Sequence, residues 1–242
     1  ADVLRPETLS DVVGQDHLTG PEGVLSAYVS GGVLPSLVLW GPPGCGKTTI
    51  ARILARESGL HYEQLSAVFS GVADLKRVFD SAHVRAQNGA RTLLFVDEIH
   101  RFNKAQQDAF LPVVEDGTII LIGATTENPS FELNGALLSR IQVLVLKRLD
   151  TAALLALLAR VEHFIGRPLP VTADARETLC ALVDGDGRYL LSVAEQIFAQ
   201  KKTLDAVGLL ALVSRRRPLY DKKDDGHYNL ISALHKSVRG SD

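Results

Sequence analysis

Apolar positions along this chain follow two rhythms, and the rhythm changes once. Up to about residue 147, short apolar runs alternate with stretches of helical spacing; beyond it only helical spacing remains. Leu37–Trp40, Thr92–Val96 and Thr118–Ile122 are continuous apolar runs, and His61–Leu65 and Ile141–Leu146 read as further strands. Unbroken rather than alternating apolarity means a strand buried on both faces, as in a parallel sheet covered by helices. Between the strands the spacing predicts helices over Val24–Ser30, Lys47–Ser58 and Val72–Gln87, the last with Val72, Leu75, Val78, Phe79 and Ala82 on one stripe. A helix capped by Asn103 carries Pro112 inside it, so a kink or break is expected there, and a short helix runs from Asn134 to Leu138. Then come Thr151–Ile165, Thr172–Val183, Arg188–Lys201 and Leu204–Val213, all helical. The pattern predicts an α/β unit over 1–147 with a five-stranded parallel sheet. A small all-α unit over 148–213 follows, then a linker and the start of another helical unit over 214–242, with a helix about His227–Val238. Ahead of the first strand, Pro6 keeps its predecessor extended, and Val12-Val13-Gly14 offers either the wall of a base pocket or a packed connector.

Composition adds limits. The chain has 242 residues, 46% of them hydrophobic, enough for one or two domains with a sizeable core. A net charge of −2 lends no global support to nucleic-acid binding, so any such binding needs a local patch. Arg215–Arg217 with Lys222 and Lys223 is one candidate, and Arg101 with Lys104 another. The two cysteines, Cys45 and Cys180, have no metal-site spacing. Apolar runs stop short of the roughly eighteen residues of a membrane span, and no signal peptide is visible. The expectation is a soluble, cytoplasmic protein with no membrane partner. The sequence has no methionine and stops straight after a helical pattern, which reads as a piece of a longer chain.

The chemistry concentrates after the first strand. Gly41 to Thr48, Gly-Pro-Pro-Gly-Cys-Gly-Lys-Thr, fits the phosphate-binding loop G-x-x-x-x-G-K-S/T between an apolar strand and an apolar helix. Its glycines let successive N–H groups converge on phosphates, and the helix start adds its positive end. Pro43, Gly44, Cys45, Gly46, Lys47, Thr48 and Thr49 are therefore the expected phosphate contacts. Lys47 reaches the β- and γ-phosphates, and the Thr48 hydroxyl ligates Mg²⁺. Cys45, near a helix N-terminus, sits where a thiol pKa tends to fall.

Thr92–Val96 ends in Asp97 and Glu98, at the carboxyl end of a buried strand, where open α/β sheets place their ligands. Asp97 is expected to hold the magnesium and Glu98 to polarise the attacking water. The guanine-reading N-K-x-D motif is not present; Asn103-Lys104-Ala105-Gln106 lacks its acid, so ATP is favoured. Thr125, Thr126 and Asn128, at the end of the next buried strand, are all candidates to orient that water. His100 reads as a structural residue beside the acids or as a relay.

These elements, with Leu138-Ser139-Arg140 and a helical lid, resemble an AAA+ ATPase. Closer still, Phe95 to Asn103 (FVDEIHRFN), Gly117 to Pro129 (GTIILIGATTENP), Leu65-Ser66-Ala67-Val68 and His227 to Asp242 (HYNLISALHKSVRGSD) resemble the replication-associated recombination protein A family. These are bacterial relatives of the Werner-helicase-interacting ATPases. The resemblance implies an ATP- and Mg²⁺-dependent, DNA-dependent ATPase acting in fork maintenance, recombination and repair, on single-stranded, forked or duplex-end DNA. It also implies a homo-oligomer (a tetramer at full length), single-strand DNA-binding protein as partner, and a nucleoid location. By position it places Val13 and Gly14 at the adenine and Thr125 at the sensor after the fourth strand. Arg140 falls on the arginine finger inserted into a neighbouring subunit, and Arg188 on the lid arginine that reaches the γ-phosphate. Without the resemblance, Arg140 reads as a surface charge and Arg188 as part of a helix turn. Most of the family's carboxyl-terminal oligomerisation domain lies beyond this sequence.

Two other functions fit the same motifs. One is an ATP-gated scaffold that recruits partners with slow turnover; an intact Glu98 argues against a dead site but not a slow one. The other is a protein-remodelling AAA+ motor, which needs an aromatic pore loop; neither Tyr62 nor Phe69 falls obviously in one.

Overall fold

The computed structural model describes residues 4–214. Its centre is a five-stranded sheet of β1 (Leu37–Trp40), β2 (His61–Ser66), β3 (Thr92–Asp97), β4 (Ile119–Thr125) and β5 (Gln142–Val145). The strand order is β2-β3-β4-β1-β5, and every neighbouring pair is parallel. Around the sheet stand α1 (Asp16–Thr19), α2 (Val24–Ser30), α3 (Lys47–Glu57), α4 (Val72–Gln87), α5 (Lys104–Asp108), α6 (Phe110–Glu115), α7 (Pro129–Glu132) and α8 (Gly135–Leu138). The chain then turns to helices alone: α9 (Thr151–Ile165), α10 (Ala173–Val183), α11 (Gly187–Phe198) and α12 (Ala206–Ser214). The basic run Arg215–Arg217 with Lys222 and Lys223, and the expected helix His227–Val238, lie outside the described residues.

Alternation along each strand sorts side chains onto two faces. Leu37, Leu39, Leu93, Phe95 and Ile122 join Ile50, Ile53 and Leu54 of α3 in one core. Val38, Leu94, Val96, Ile119 and Leu121 join Leu75 and Val78 of α4, Phe110 of α6 and Leu137 of α8 in the other. Two cores, one per face, explain why the central strands read as unbroken apolar runs. β5 departs from that reading. It is an edge strand that carries Gln142, and Val143 and Val145 are 40% and 50% exposed.

The helix carrying Pro112 breaks as expected, but upstream of the proline. α5 ends at Asp108 and α6 begins at Phe110, so Pro112 is the third residue of a new helix. A first-turn N–H has no partner within its helix, so a proline costs little there; in one continuous helix it would have removed the bond to Asp108.

A third core holds Leu149, Leu154, Leu158, Leu179, Leu190 and Ile197, and Leu4 and Val13 of the amino-terminal segment pack against it. Gln15, fully buried, fastens three parts together. Its amide donates to the carbonyl of Lys147 at 2.7 Å and to that of Cys45 at 3.4 Å, and its oxygen accepts from Lys147 N at 3.0 Å. The amino-terminal segment, the phosphate loop and the start of the helical unit therefore meet at one side chain.

Candidate active site

Parallel strands bring the ends of β1, β3 and β4 to one edge of the sheet, and a cavity of about 210 Å³ opens there. Its polar end is the loop between β1 and α3. Pro43, Gly44, Cys45, Gly46, Lys47, Thr48 and Thr49 all line it, with Asp97 and Glu98 from the end of β3. Lys47 is almost buried, and its ammonium donates to the carbonyls of Gly41 and Pro42 at 2.7 and 2.9 Å. Burial lowers its pKa, since a charge is costly away from water, while Cys45, Glu98 and Asp97 act the other way.

Gly44 is required by a close approach. It has φ +70°, and a Cβ there would lie 1.9 Å from Asp186 Oδ1. Asp186 caps α11 by accepting from Tyr189 N at 2.9 Å, and Gly187 N donates to the Gly44 carbonyl at 3.2 Å. The helical unit thus docks directly on the phosphate loop, and Arg188, in the first turn of α11, faces the cavity. The lining also has an apolar part: Leu4, Val12, Val13, Leu149, Leu157 and Leu191.

Glu98 stands in the left-handed region, φ 55° and ψ 43°, one of two non-glycine residues with positive φ among those described. For a residue with a Cβ this costs roughly 1–2 kcal/mol. The two residues after it hold it there. Ile99 is buried against β4, where Gly123 leaves the space; a Cβ on Gly123 would come within 2.8 Å of Ile99 Cδ1. His100, its side chain 7% exposed, lies with Nε2 3.4 Å from Glu98 Oε2 and Nδ1 2.9 Å from Thr125 Oγ1. Thr125 Oγ1 also accepts from Glu127 N at 3.0 Å. Glu98, His100, Thr125 and the turn after β4 therefore form one connected chain.

Three expected residues lie elsewhere. Gly14 (φ +73°) packs behind the base pocket, where a Cβ would come within 2.9 Å of Leu149 and 3.0 Å of Ala153. Thr125 is fully buried beneath the cavity, and its neighbour Thr126 lines it instead. Arg140, just after α8, pairs with Glu115 and donates to the Ala136 carbonyl at 2.8 Å, away from the cavity of its own chain. Cys45 needs a correction. It is buried, and burial pushes its thiol pKa up rather than down, with Lys47 opposing.

Sequence reasoning passed over Leu149, Leu157, Leu191 and Arg5, which also line the cavity. The three leucines carry no signal that separates them from ordinary helix-core positions.

The residues suit ATP with Mg²⁺. Thr48 and Asp97 offer one hydroxyl and one carboxylate on the same wall. No cluster of three or more potential metal-binding side chains occurs among the described residues. That sparse set fits Mg²⁺, which takes one or two protein oxygens and completes its shell with phosphate and water.

Comparison with known proteins decides the affiliation. Residues 37–149 match the ATPase family associated with various cellular activities (AAA), and residues 166–239 match the AAA C-terminal domain. The replication-associated recombination protein A of Escherichia coli (strain K12) is 44% identical over 250 residues, covering 98% of this chain and 56% of that protein. The chain carries an AAA ATPase domain and is similar along almost its whole length to the replication-associated recombination protein A proteins. The ATPase WRNIP1 of Dictyostelium discoideum is 43% identical over 265 residues, covering 99% of this chain and 30% of that protein. The chain thus spans about half the length, or less, of the curated relatives it matches. Among solved structures, the Thermotoga maritima RuvB Holliday junction branch migration motor superposes with a TM-score of 0.73 at 24% identity, over 98% of this chain and 80% of that one. This likeness concerns the fold. The matched AAA and AAA C-terminal regions agree with the parallel sheet, the phosphate loop and the helical unit docked on it.

Proposed function

We propose that this chain is the ATP-hydrolysing core of a DNA-directed motor or clamp that acts in replication and recombination. The observation that carries the proposal is the single cavity joining the phosphate loop, Asp97 and Glu98, Arg188 and an apolar base pocket. Val12, Val13 and the leucines of the helical unit take the adenine, and Lys47 and the loop N–H groups take the phosphates. Thr48 and Asp97 would hold Mg²⁺, which when bound would supply charge neutralisation for the phosphates. Glu98 accepts a proton from the attacking water, held in place by His100. Thr126 stands where a hydroxyl can meet the water or the γ-phosphate, and Thr125 acts through His100. Arg188 senses the γ-phosphate and couples it to the helical unit. Arg140, at the surface and away from its own cavity, would exchange its pairing with Glu115 for the site of a neighbouring copy, in a homo-oligomer that is tetrameric at full length.

DNA as the partner is supported by the relatives' names and by the exposed cations Arg101 and Lys104. Single-strand DNA-binding protein as partner, and a nucleoid location, rest on the family alone. No helix among the described residues is long and apolar enough to cross a membrane.

The test is ATP turnover per subunit against protein concentration, with and without forked DNA carrying a single-stranded arm. The proposal expects a rate that rises with concentration, because Arg140 acts in trans, and rises again with DNA. A full-length version whose rate is flat in both would refute the shared site and the DNA-directed role together, leaving an ATP-binding scaffold.

A further inference from the structure

The loops next to the nucleotide site hold two phenylalanines that do nothing for the fold. Phe69, between β2 and α4, is 88% exposed, and Phe131, in α7 after β4, is 83% exposed. A phenylalanine normally buries its ring, so two at this exposure on one edge are unusual. Around Phe69, Val68 and Val72 are 55% and 70% exposed. By contrast Tyr62, inside β2, is half-buried, stacked near Phe95 with Arg52 over its ring.

Sheet order places these residues. β2, β3 and β4 are consecutive and parallel, so the segments after their carboxyl ends succeed one another along one edge. The order along it is Phe69, then Arg101 and Lys104, then Phe131. Hydrogen bonds fix the three segments to each other. Ala67 N donates to the Asp97 carbonyl at 2.9 Å, tying the Phe69 loop to the end of β3. Buried Gln107 donates to the carbonyls of Phe102 and Glu132 at 2.9 and 3.1 Å, and accepts from Asn134 N at 2.8 Å, tying α5 to the Phe131 segment.

Charge says what this surface fits. Arg101, Lys104 and Lys76 of α4 are exposed, and none makes an ion pair among the described residues. Of the acids nearby, Asp74 is engaged by Gly71 N and Arg77, and Asp108 by Asn134, while Glu127, in the turn after β4, is exposed like Glu132. Exposed Glu132 would repel a phosphate, so Phe131 is suited to meet a base rather than the backbone.

We propose that Phe69 and Phe131, with Arg101 and Lys104 between them, form a track for single-stranded DNA. The rings stack on bases and the cations meet phosphates, the combination by which proteins hold a single strand without reading its sequence. The middle of the track, Arg101 and Lys104, follows the end of β3, where Asp97 and Glu98 line the nucleotide cavity, so an occupied track and a loaded nucleotide site adjoin the same strand end. This rests on the DNA-directed reading above and names the surface that carries it.

The experiment is fluorescence anisotropy of a fluorescein-labelled oligo-dT of about 30 nucleotides, with the whole chain and a non-hydrolysable ATP analogue, at several salt concentrations. Phe69→Ala and Phe131→Ala should each weaken binding roughly 5- to 150-fold. Arg101→Ala with Lys104→Ala should reduce the salt slope by about 0.7 per cation removed. Phe69→Trp should show indole fluorescence quenched by unlabelled oligo-dT. ATP turnover without DNA should be unchanged in all of them. Tight oligo-dT binding that survives the double Phe→Ala variant overturns the track and leaves the DNA reading standing. No binding of oligo-dT or forked DNA by the unaltered full-length protein overturns both. A change of oligomeric state in the alanine variants would make the patch a contact between copies. Loss of binding to an unfolded polypeptide alone would make it a protein-threading loop. Either result overturns the proposal.

Discussion

At the scale of single residues, the site is built around a strained glutamate. Glu98 holds a positive φ, and His100 links its carboxylate to Thr125. Glu98→Gln keeps the shape and removes the base, so it should bind ATP as the parent does and lose turnover by about 10²- to 10⁴-fold. His100→Phe should lower kcat without moving the affinity for ATP, and His100→Gln should recover part of it; an equal loss of affinity would mean that His100 only supports the fold. The two threonines separate by readout. Thr125→Val strands buried partners and should cost roughly 1–3 kcal/mol of stability in a denaturant melt. Thr126→Val should leave stability within about 0.5 kcal/mol and lower turnover instead. Sequence could not choose between them, because a buried strand end looks apolar on both faces and hides which face the next residue takes. Cys45 is a similar case. Its place beside a helix start was legible, but not its burial, which outweighs the helix end and raises the thiol pKa. Iodoacetamide labelling of Cys45 at neutral pH should therefore be slow, speeding as pH rises toward the raised pKa, and slower again with ATP bound.

Elements read well from the sequence where one physical cause acts alone. The central strands were legible because helices cover both faces, and Asn103 and Asn134 were legible as caps because a short polar side chain before an apolar stripe has little else to do. Asn103 Oδ1 accepts from Gln106 N at 2.9 Å, and Asn134 Oδ1 from Leu137 N at 2.7 Å. The edge position of β5 was not read from the sequence, although Gln142 interrupts its apolar run. The break before Pro112 was expected, but its place was set by where a new first turn makes a missing N–H harmless. The phosphate loop announced its motif, yet not that Asp186 presses on Gly44 and shapes the loop from the helical side. Gly44→Ala should therefore weaken ATP binding at least tenfold in a titration, even though alanine adds one carbon, because that carbon falls inside the Asp186 carboxylate.

At the scale of the whole molecule, the cavity proposed for the nucleotide is lined by both the sheet and the helical unit, so a bound nucleotide should hold them together. Leu149, Leu157, Leu191 and Arg188 come from the helical unit, while the phosphate loop and both acids come from the sheet. A ligand bound only by the native state stabilises it by about 2.7 kcal/mol at a hundred times its Kd. That stabilisation should vanish in Lys47→Ala and shrink in Arg188→Ala. Gln15 joins the same bodies without touching the phosphates; Gln15→Leu should cost roughly 1–3 kcal/mol in the absence of ATP. The base pocket was the least legible part of the site, because its leucines differ from core leucines only by what faces them.

The most direct test compares single-turnover hydrolysis of Mg²⁺-ATP by the unaltered chain, Glu98→Gln and Lys47→Ala, with binding of a fluorescent ATP analogue measured in parallel. The account predicts binding and hydrolysis for the first, binding without hydrolysis for the second, and neither for the third. Brisk hydrolysis by Glu98→Gln, or undiminished binding by Lys47→Ala, would contradict it.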